Sequence, residues 1–445
     1  MNTAAPALRW PALLRLGAMG FPLAFVALPL YVVLPHHYAL TYQLPLAWIG
    51  SLLLAARLGD ALIDPWLGRC TDGWFARHSR EVLAWSRRCA LLLLVGVGVL
   101  FFPHLLLPSP ASPQGLMAVA GLALVACCLG LSCLSLAHQS WGTRHGGDEA
   151  QRARVVGWRE GLGLLGVISA SALSSGAGVG AMVWALALSL ALALWAWHHA
   201  PTPPRLDTSA APEDSASTDS RHTVGLGLAG PMGQPLFRSL LAVFVLNGIA
   251  SAIPATLVLF FVQDRLQAAP GQAGVFLALY FCAAAVSVPL WLAAVRRWGL
   301  VTCWLLGMGL AMAVFIWTLG LGTGDTWAFA VVCTLSGLAL GADVIAPGAL
   351  LTGVVERLGR THSQPGVYWG WWQVATKLNL ALAAGLTLPA LQWWGYTPGQ
   401  TDEAGLWTLS CAYGLMPCLL KAAAAVCLWL QRHRLPTHSP TESPP

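Results

Sequence analysis

Uninterrupted apolar runs of about 20 residues return again and again along this chain, and no other feature limits its fold as strongly. A helix rises ~1.5 Å per residue, so each run matches the ~30 Å hydrocarbon core of a bilayer. The runs lie near 13–34, 44–68, 89–108, 114–141, 155–176, 178–198, 236–262, 272–295, 301–321, 326–351, 367–392 and 405–430. They predict an all-α membrane protein of about twelve transmembrane helices, with eleven to thirteen left open by the near-contact of two runs at Gly176–Gly180. Charged residues make up only 9% of the chain, against roughly 25% in a soluble domain, too few to clothe a water-facing surface. The first run is longer than a signal-peptide core and has no small-residue cleavage site after it, so it reads as a retained helix.

The formal net charge of +6 falls in clusters between the runs, not along a stripe, which argues against a nucleic-acid surface. Arg69, Arg77, Arg80, Arg87 and Arg88, then Arg144, Arg152 and Arg154, then Arg296 and Arg297, then Arg357 and Arg360 all fall in one set of connections, and Arg9, Arg432 and Arg434 put both termini with them. The alternate connections hold Arg265 alone. The positive-inside rule then predicts a multi-pass protein of the cell (inner) membrane with both termini cytoplasmic. Residues 201–235 are rich in Pro, Ser and Thr and read as a cytoplasmic linker between an N-terminal six-helix bundle (1–200) and a C-terminal one (236–434), with a disordered tail at 435–445. Two such halves joined by a linker are the layout of parallel-repeat transporters. The 11 cysteines form no CxxC pair and no zinc-ligand spacing, and Cys127, Cys128 and Cys133 read as small apolar side chains. Most of the 22 Trp, such as Trp48, Trp197, Trp393 and Trp394, read as interfacial belts.

An ionised group in mid-membrane costs roughly 2.5–3.5 kcal/mol on insertion scales, so each needs a reason. Arg57, Asp60 and Asp64 are spaced to share one helical face, where two acceptor-only carboxylates can hold one desolvated cation or share a proton. An Arg57–Asp60 pair locking two helices would not need the second carboxylate. Lys377, about eleven residues into its run, sits deep enough to balance them when the cation is absent. Asp343, in GADVIAP, reads either as a third polar site residue or as the partner of Lys377. Lys421 reads as snorkelling towards water. Arg159 and Glu160 are adjacent and are expected to point apart, with Arg159 towards a cavity that Ser135, His138 and Gln139 also line. His138 has the alternative of a hydrogen-bonded packing residue. Tyr368, Trp369, Trp371, Trp372 and Gln373 suit a ring-shaped solute, although Tyr368 and Trp369 equally suit a belt.

The stretch ARLGDALIDPWLGRCTDGW (Ala56 to Trp74) resembles the second-helix signature of the glycoside–pentoside–hexuronide:cation symporters, the melibiose permease family of the major facilitator superfamily. The stretch from Val367 through Tyr396 resembles that family's eleventh helix and its Lys, and RARVVGWREGLGLLG (Arg152 to Gly166) the start of its fifth. The resemblance implies two pseudo-symmetric six-helix bundles with alternating access. It also implies a cation site at Asp60 and Asp64 with Lys377 beside it, Arg159 at the substrate cavity, and a cytoplasmic gate at Gly68, Asp72 and Arg77. The family's first-helix Lys-Asp pair is matched by Phe21 and Pro22, its fourth-helix Asp by Ser135, and its tenth-helix acidic residue by Thr352. The ion machinery is thus retained and the sugar anchors are not.

These readings point to a secondary transporter, not an enzyme: a monomer in the lipid bilayer carrying a small-molecule substrate, a sugar or glycoside, by symport. The coupling ion would be Na⁺ or H⁺, with no other cofactor and no metal site beyond Na⁺ at Asp60 and Asp64. The alternative is ion-coupled movement or export of a more amphipathic solute, which apolar Phe21 and Pro22 would suit. A membrane enzyme would call for His and acidic residues clustered at one face or for a large catalytic loop, whereas the longest connection is low-complexity.

Overall fold

The computed structural model describes residues 8–106, 112–174, 178–203, 230–269, 271–361, 363–397, 399 and 402–435, and among them the structure is helical without strands. Most of the expected linker (204–229) and the tail (436–445) lie outside the described residues.

The first apolar run forms a broken rod: α1 (Trp10–Gly17), α2 (Gly20–Phe25), a wide turn at Pro29–Val33, and α3 (Leu34–Thr41). Prolines at 22, 29 and 35 remove backbone donors and crowd the preceding turn, which accounts for the breaks. Next come α4 (Leu46–Arg77) and α5 (Ser79–Phe101), separated only by extended His78, whose ring accepts from Arg80 N at 3.0 Å and caps α5. Then follow α6 (Pro113–Thr143), α7 (Glu149–Ser174), α8 (Gly178–His198), α9 (Pro235–Phe260) and α10 (Gln272–Phe315). Within α10, Gly299 at φ 77° breaks the helix into two rods, a left-handed conformation that a side chain would resist. The chain ends with α11 (Thr326–Arg357), α12 (Pro365–Trp393), α13 (Glu403–Ser410) and α14 (Met416–Gln431), the last two joined through a wide turn.

Eight helical stretches among the described residues are long and apolar enough to cross a membrane. One of them, Gln272–Gly320, is the pair of rods split at Gly299. The broken first rod and the charge-bearing α4 and α7 complete the expected dozen crossings. The outer surface is apolar: Leu62 is 81% exposed, Trp184 78% and Trp393 89%. Such a surface suits lipid and not water. Trp48 and Trp394 are exposed as belts should be, but Trp197 is fully buried against His138 and Trp141. Tyr368 and Trp369 are also buried, which removes the belt reading for them.

One apolar cluster draws only on residues before 201 and another only on residues from Ile249 onwards, while a third crosses between them, joining Leu67, Leu136 and Val156 to Ala346, Tyr368 and Trp369. At the crossing α4 and α12 touch through backbone. A Cβ on Gly68 would lie 2.1 Å from the Gly366 carbonyl oxygen, and one on Gly370 would lie 2.7 Å from that of Asp64. Small residues permit this approach, as in other membrane helix pairs, and it brings the α4 carboxylates within reach of α12.

Candidate functional site

The close approach of α4 and α12 assembles the buried charges. Asp60 and Asp64 stand one turn apart on α4, and Lys377 of α12 reaches both, with Nζ 2.5 Å from Asp60 Oδ2 and 2.6 Å from Asp64 Oδ2. Ser132 of α6 completes the group, donating to Asp60 Oδ1 at 2.7 Å and accepting from Lys377 at 3.1 Å. Asp64 is wholly buried, and its Oδ1 meets no hydrogen-bond partner among the described residues. Two carboxylates meet one ammonium directly, and the Arg57 guanidinium adds its positive field to the same group. Paired carboxylates in a low-dielectric interior are a donor set that can take up a proton or a monovalent cation. Arg57 lies three residues before Asp60 and is half-buried.

Nearer the arginine-rich end, a small cavity with room for about one water lies between the halves. Gln139, Arg152, Arg159, Thr352 and Trp369 are on its wall, so two of the expected cavity residues, Gln139 and Arg159, do meet there. Arg159 does not point away from its neighbour: Nε and Nη2 donate to Glu160 Oε1 at 2.8 and 2.6 Å, and the guanidinium stands 5.2 Å above the Trp369 ring.

Other expected cavity residues are elsewhere. His138 is buried in the first half, bonded to the Leu16 carbonyl and edge-on to Trp197, so its role is packing. Ser132, not Ser135, supplies the hydroxyl to the charged group. Trp372 stacks on Phe244 with ring centres 3.9 Å apart inside the apolar contact, and Gln373 beside it is half-buried.

Asp343 neither pairs with Lys377 nor joins the cavity, and Lys421 does not snorkel. The two form their own buried pair at 2.7 Å. Asn247 and Trp304 donate to Asp343 at 3.1 and 2.9 Å, and Lys421 also donates to Asn247 at 2.7 Å and Ser251 at 3.1 Å. All three ammonium protons are thereby used within the second half. This is a structural staple tying α9, α10, α11 and α14 together. Lys421→Met is expected to cost about 3–5 kcal/mol by stranding Asp343, whereas Lys421→Met with Asp343→Leu recovers most of it. Thermal unfolding of the purified variants checks this; equal losses in the single and double variants would contradict it.

The two halves are latched at the arginine-rich end. Asp72 Oδ1 accepts from Arg144 Nη2 at 3.2 Å and Gly366 N at 2.8 Å, and Oδ2 accepts from Val367 N at 3.1 Å. A carboxylate of one half thus caps the first turn of α12 in the other, where free amides and the helix dipole favour negative charge. Glu149 does the same beyond the Gly299 break, accepting from Leu300 N at 2.9 Å. Arg152 bonds Glu356 at 2.9 Å, and Trp369 donates to Thr143 Oγ1 at 2.7 Å. Of the expected gate residues, Gly68 and Asp72 are in place, but Arg77 is exposed and paired only with nearby Glu81. Arg144 fills the role assigned to it. Arg144, Glu149, Arg152 and Glu356 were visible in the sequence only as loop charges, and nothing in their spacing marked them as partners.

A dozen crossings in two halves, latched at one end around a buried charged group and a cavity, define a membrane carrier working between two openings. The chain belongs to the MFS/sugar transport protein family, whose model matches residues 15–432. Among solved structures it is similar to a bacterial homologue of the iron transporter ferroportin in an outward-facing state, at 16% identity and TM-score 0.66 over 94% of this chain and 100% of that one. It is similar also to the major facilitator superfamily transporter FucP in the outward conformation (14%, TM-score 0.64, covering 94% and 98%). A third is the proton:xylose symporter XylE bound to 6-bromo-6-deoxy-D-glucose (14%, TM-score 0.63, covering 94% of each). Among curated proteins no sequence matches. The protein is therefore a multi-pass transporter of the major facilitator superfamily, acting on a small molecule across a lipid bilayer and not an enzyme.

Proposed function

We propose that this transporter carries a small polar solute, a sugar or glycoside, in symport with Na⁺ or H⁺, after the manner of the glycoside–pentoside–hexuronide:cation symporters. One observation carries the reading: Lys377 bridges two buried carboxylates across the two halves while Asp64 Oδ1 meets no partner among the described residues. In the cycle, Lys377 holds the empty carrier together. An arriving cation or proton takes the carboxylates and frees the ammonium, and that exchange licenses the halves to rock about the bound solute. The resemblance of α4 to the family signature supports this, and so do the sugar:proton symporters among similar folds. The halves are taken as 1–200 and 236–434, linked by 201–235, and the working unit as a monomer. The positive-inside rule favours the arginine-rich end and both termini on the cytoplasmic side of the inner membrane.

A second reading, ion-coupled movement or export of a more amphipathic solute, is favoured by Phe21, which stacks on Phe25 where the family has a charged sugar anchor. Counterflow in proteoliposomes with a panel of sugars, with and without Na⁺ and at two pH values, separates the two. Ion-dependent exchange of a sugar supports symport, and saturable movement of lipophilic solutes alone supports the second reading. No ion dependence for any solute would end the coupling claim.

A further inference from the structure

The outward surface at the turn from α4 to α5 carries arginines where the apolar band ends. Arg69 stands about one turn beyond exposed Trp66, and Arg87 and Arg88 about one turn before exposed Leu91 and Leu92. Arg77 and Arg80 flank the turn itself, and all five arginines are exposed. Among the described residues one carboxylate meets this group, Glu81, and it pairs with Arg77 at 3.5 Å. Arg69, Arg80, Arg87 and Arg88 form no ion pair among those residues. Like charges so close together repel one another unless an anion settles among them. The rings beside them are ordered. Trp74 of α4 and Trp85 of α5 stack within 4° of parallel with centres 5.3 Å apart, and the Arg88 guanidinium stands 4.7 Å over Trp85. Tryptophans at the end of an apolar band mark headgroup depth. Exposed Ala84 lies one turn from both Arg80 and Arg88 on the same face of α5, so its short side chain leaves a gap between them.

We infer that this surface seats the phosphate of an anionic phospholipid, held by Arg80, Arg87 and Arg88, with the acyl chains lying along Leu91 and Leu92. A guanidinium offers a phosphate two parallel donors and is more weakly hydrated than an ammonium, which suits a site at the edge of hydrocarbon. The arginine row runs on into lipid-facing leucines, so a ligand that spans it carries charge at one end and hydrocarbon at the other. The corresponding break in the second half, at Gly299, is a poorer site: Arg296 and Arg297 are exposed there, two charges in place of five. The inference depends neither on the solute carried nor on ion coupling.

Native mass spectrometry of the full-length protein in detergent, titrated with dioleoylphosphatidylglycerol or dioleoylphosphatidylcholine, tests this on matched acyl chains. The first phosphatidylglycerol is expected to bind about tenfold more tightly than the first phosphatidylcholine, and less so as salt rises. Arg87→Gln with Arg88→Gln weakens phosphatidylglycerol binding about tenfold. Arg296→Gln with Arg297→Gln deletes the same charge and changes it by less than about twofold, because those arginines lie at the other break. Trp85→Leu, with every arginine present, weakens binding several-fold by freeing the Arg88 guanidinium, an effect that surface charge alone would not give. Glycerol 3-phosphate, a headgroup without chains, is expected not to displace the lipid. Equal retention of the two lipids, or equal losses in the two double variants, would overturn the inference and leave these arginines as general surface charge. Displacement by glycerol 3-phosphate would overturn it by assigning them to a soluble anion.

Discussion

If the proposed coupling holds, Asp64→Asn is expected to abolish ion-driven accumulation of solute while leaving solute exchange across proteoliposomes in place. The amide keeps the shape of the side chain but removes one of the two carboxylates, and the other, Asp60, stays paired with Lys377. With one carboxylate gone and the other paired, the proposed ion site is lost, and the gradient is expected to lose its hold on the carrier. The inside-to-outside ratio falls to ~1 at steady state, the value for a carrier without coupling. Exchange survives because the latch and the cavity do not involve Asp64. Accumulation at the level of the unmodified protein, with the variant present in the membrane in equal amount, would refute the assignment.

Asp72→Asn is expected to open the arginine-rich end. The carboxylate accepts three hydrogen bonds, one from Arg144 and two from the first turn of α12. Charge-assisted bonds of this kind contribute about 1.5–3 kcal/mol each, and losing the equivalent of one shifts the balance of states about tenfold or more. Arg144 is left buried with its carboxylate gone, which adds to the shift. Spin labels at Arg77 and Ser363, both exposed on the two sides of the latch, are expected to move apart in the distance distribution. A distribution identical to that of the unmodified protein would mean that the carboxylate does not hold the closure.

Much of this was legible in the sequence, for physical reasons that differ by element. Apolar runs report membrane crossings directly, since lipid forces each backbone segment to satisfy itself. The spacing of Asp60 and Asp64 reports one helical face, and the depth of Lys377 reports its need of a partner. Spacing along one helix says nothing of who faces it across the gap, which is why Asp343 was not matched to Lys421 and Ser132 was passed over for Ser135. Adjacent Arg159 and Glu160 misled for a related reason: long side chains bend, so neighbouring Cα positions do not keep their tips apart. Gate partners were hidden because Asp72 is met largely by backbone amides, which any residue supplies.

The two buried lysines differ in one respect with an electrical consequence. Lys421 travels with its counterion inside a single half, so the dipole they make keeps its length whatever the carrier does. Lys377 faces carboxylates that belong to the opposite half, so rocking of the halves changes the distance between these charges. In a cell with a standing potential, whatever part of that separation lies along the membrane normal makes turnover voltage-dependent through Lys377.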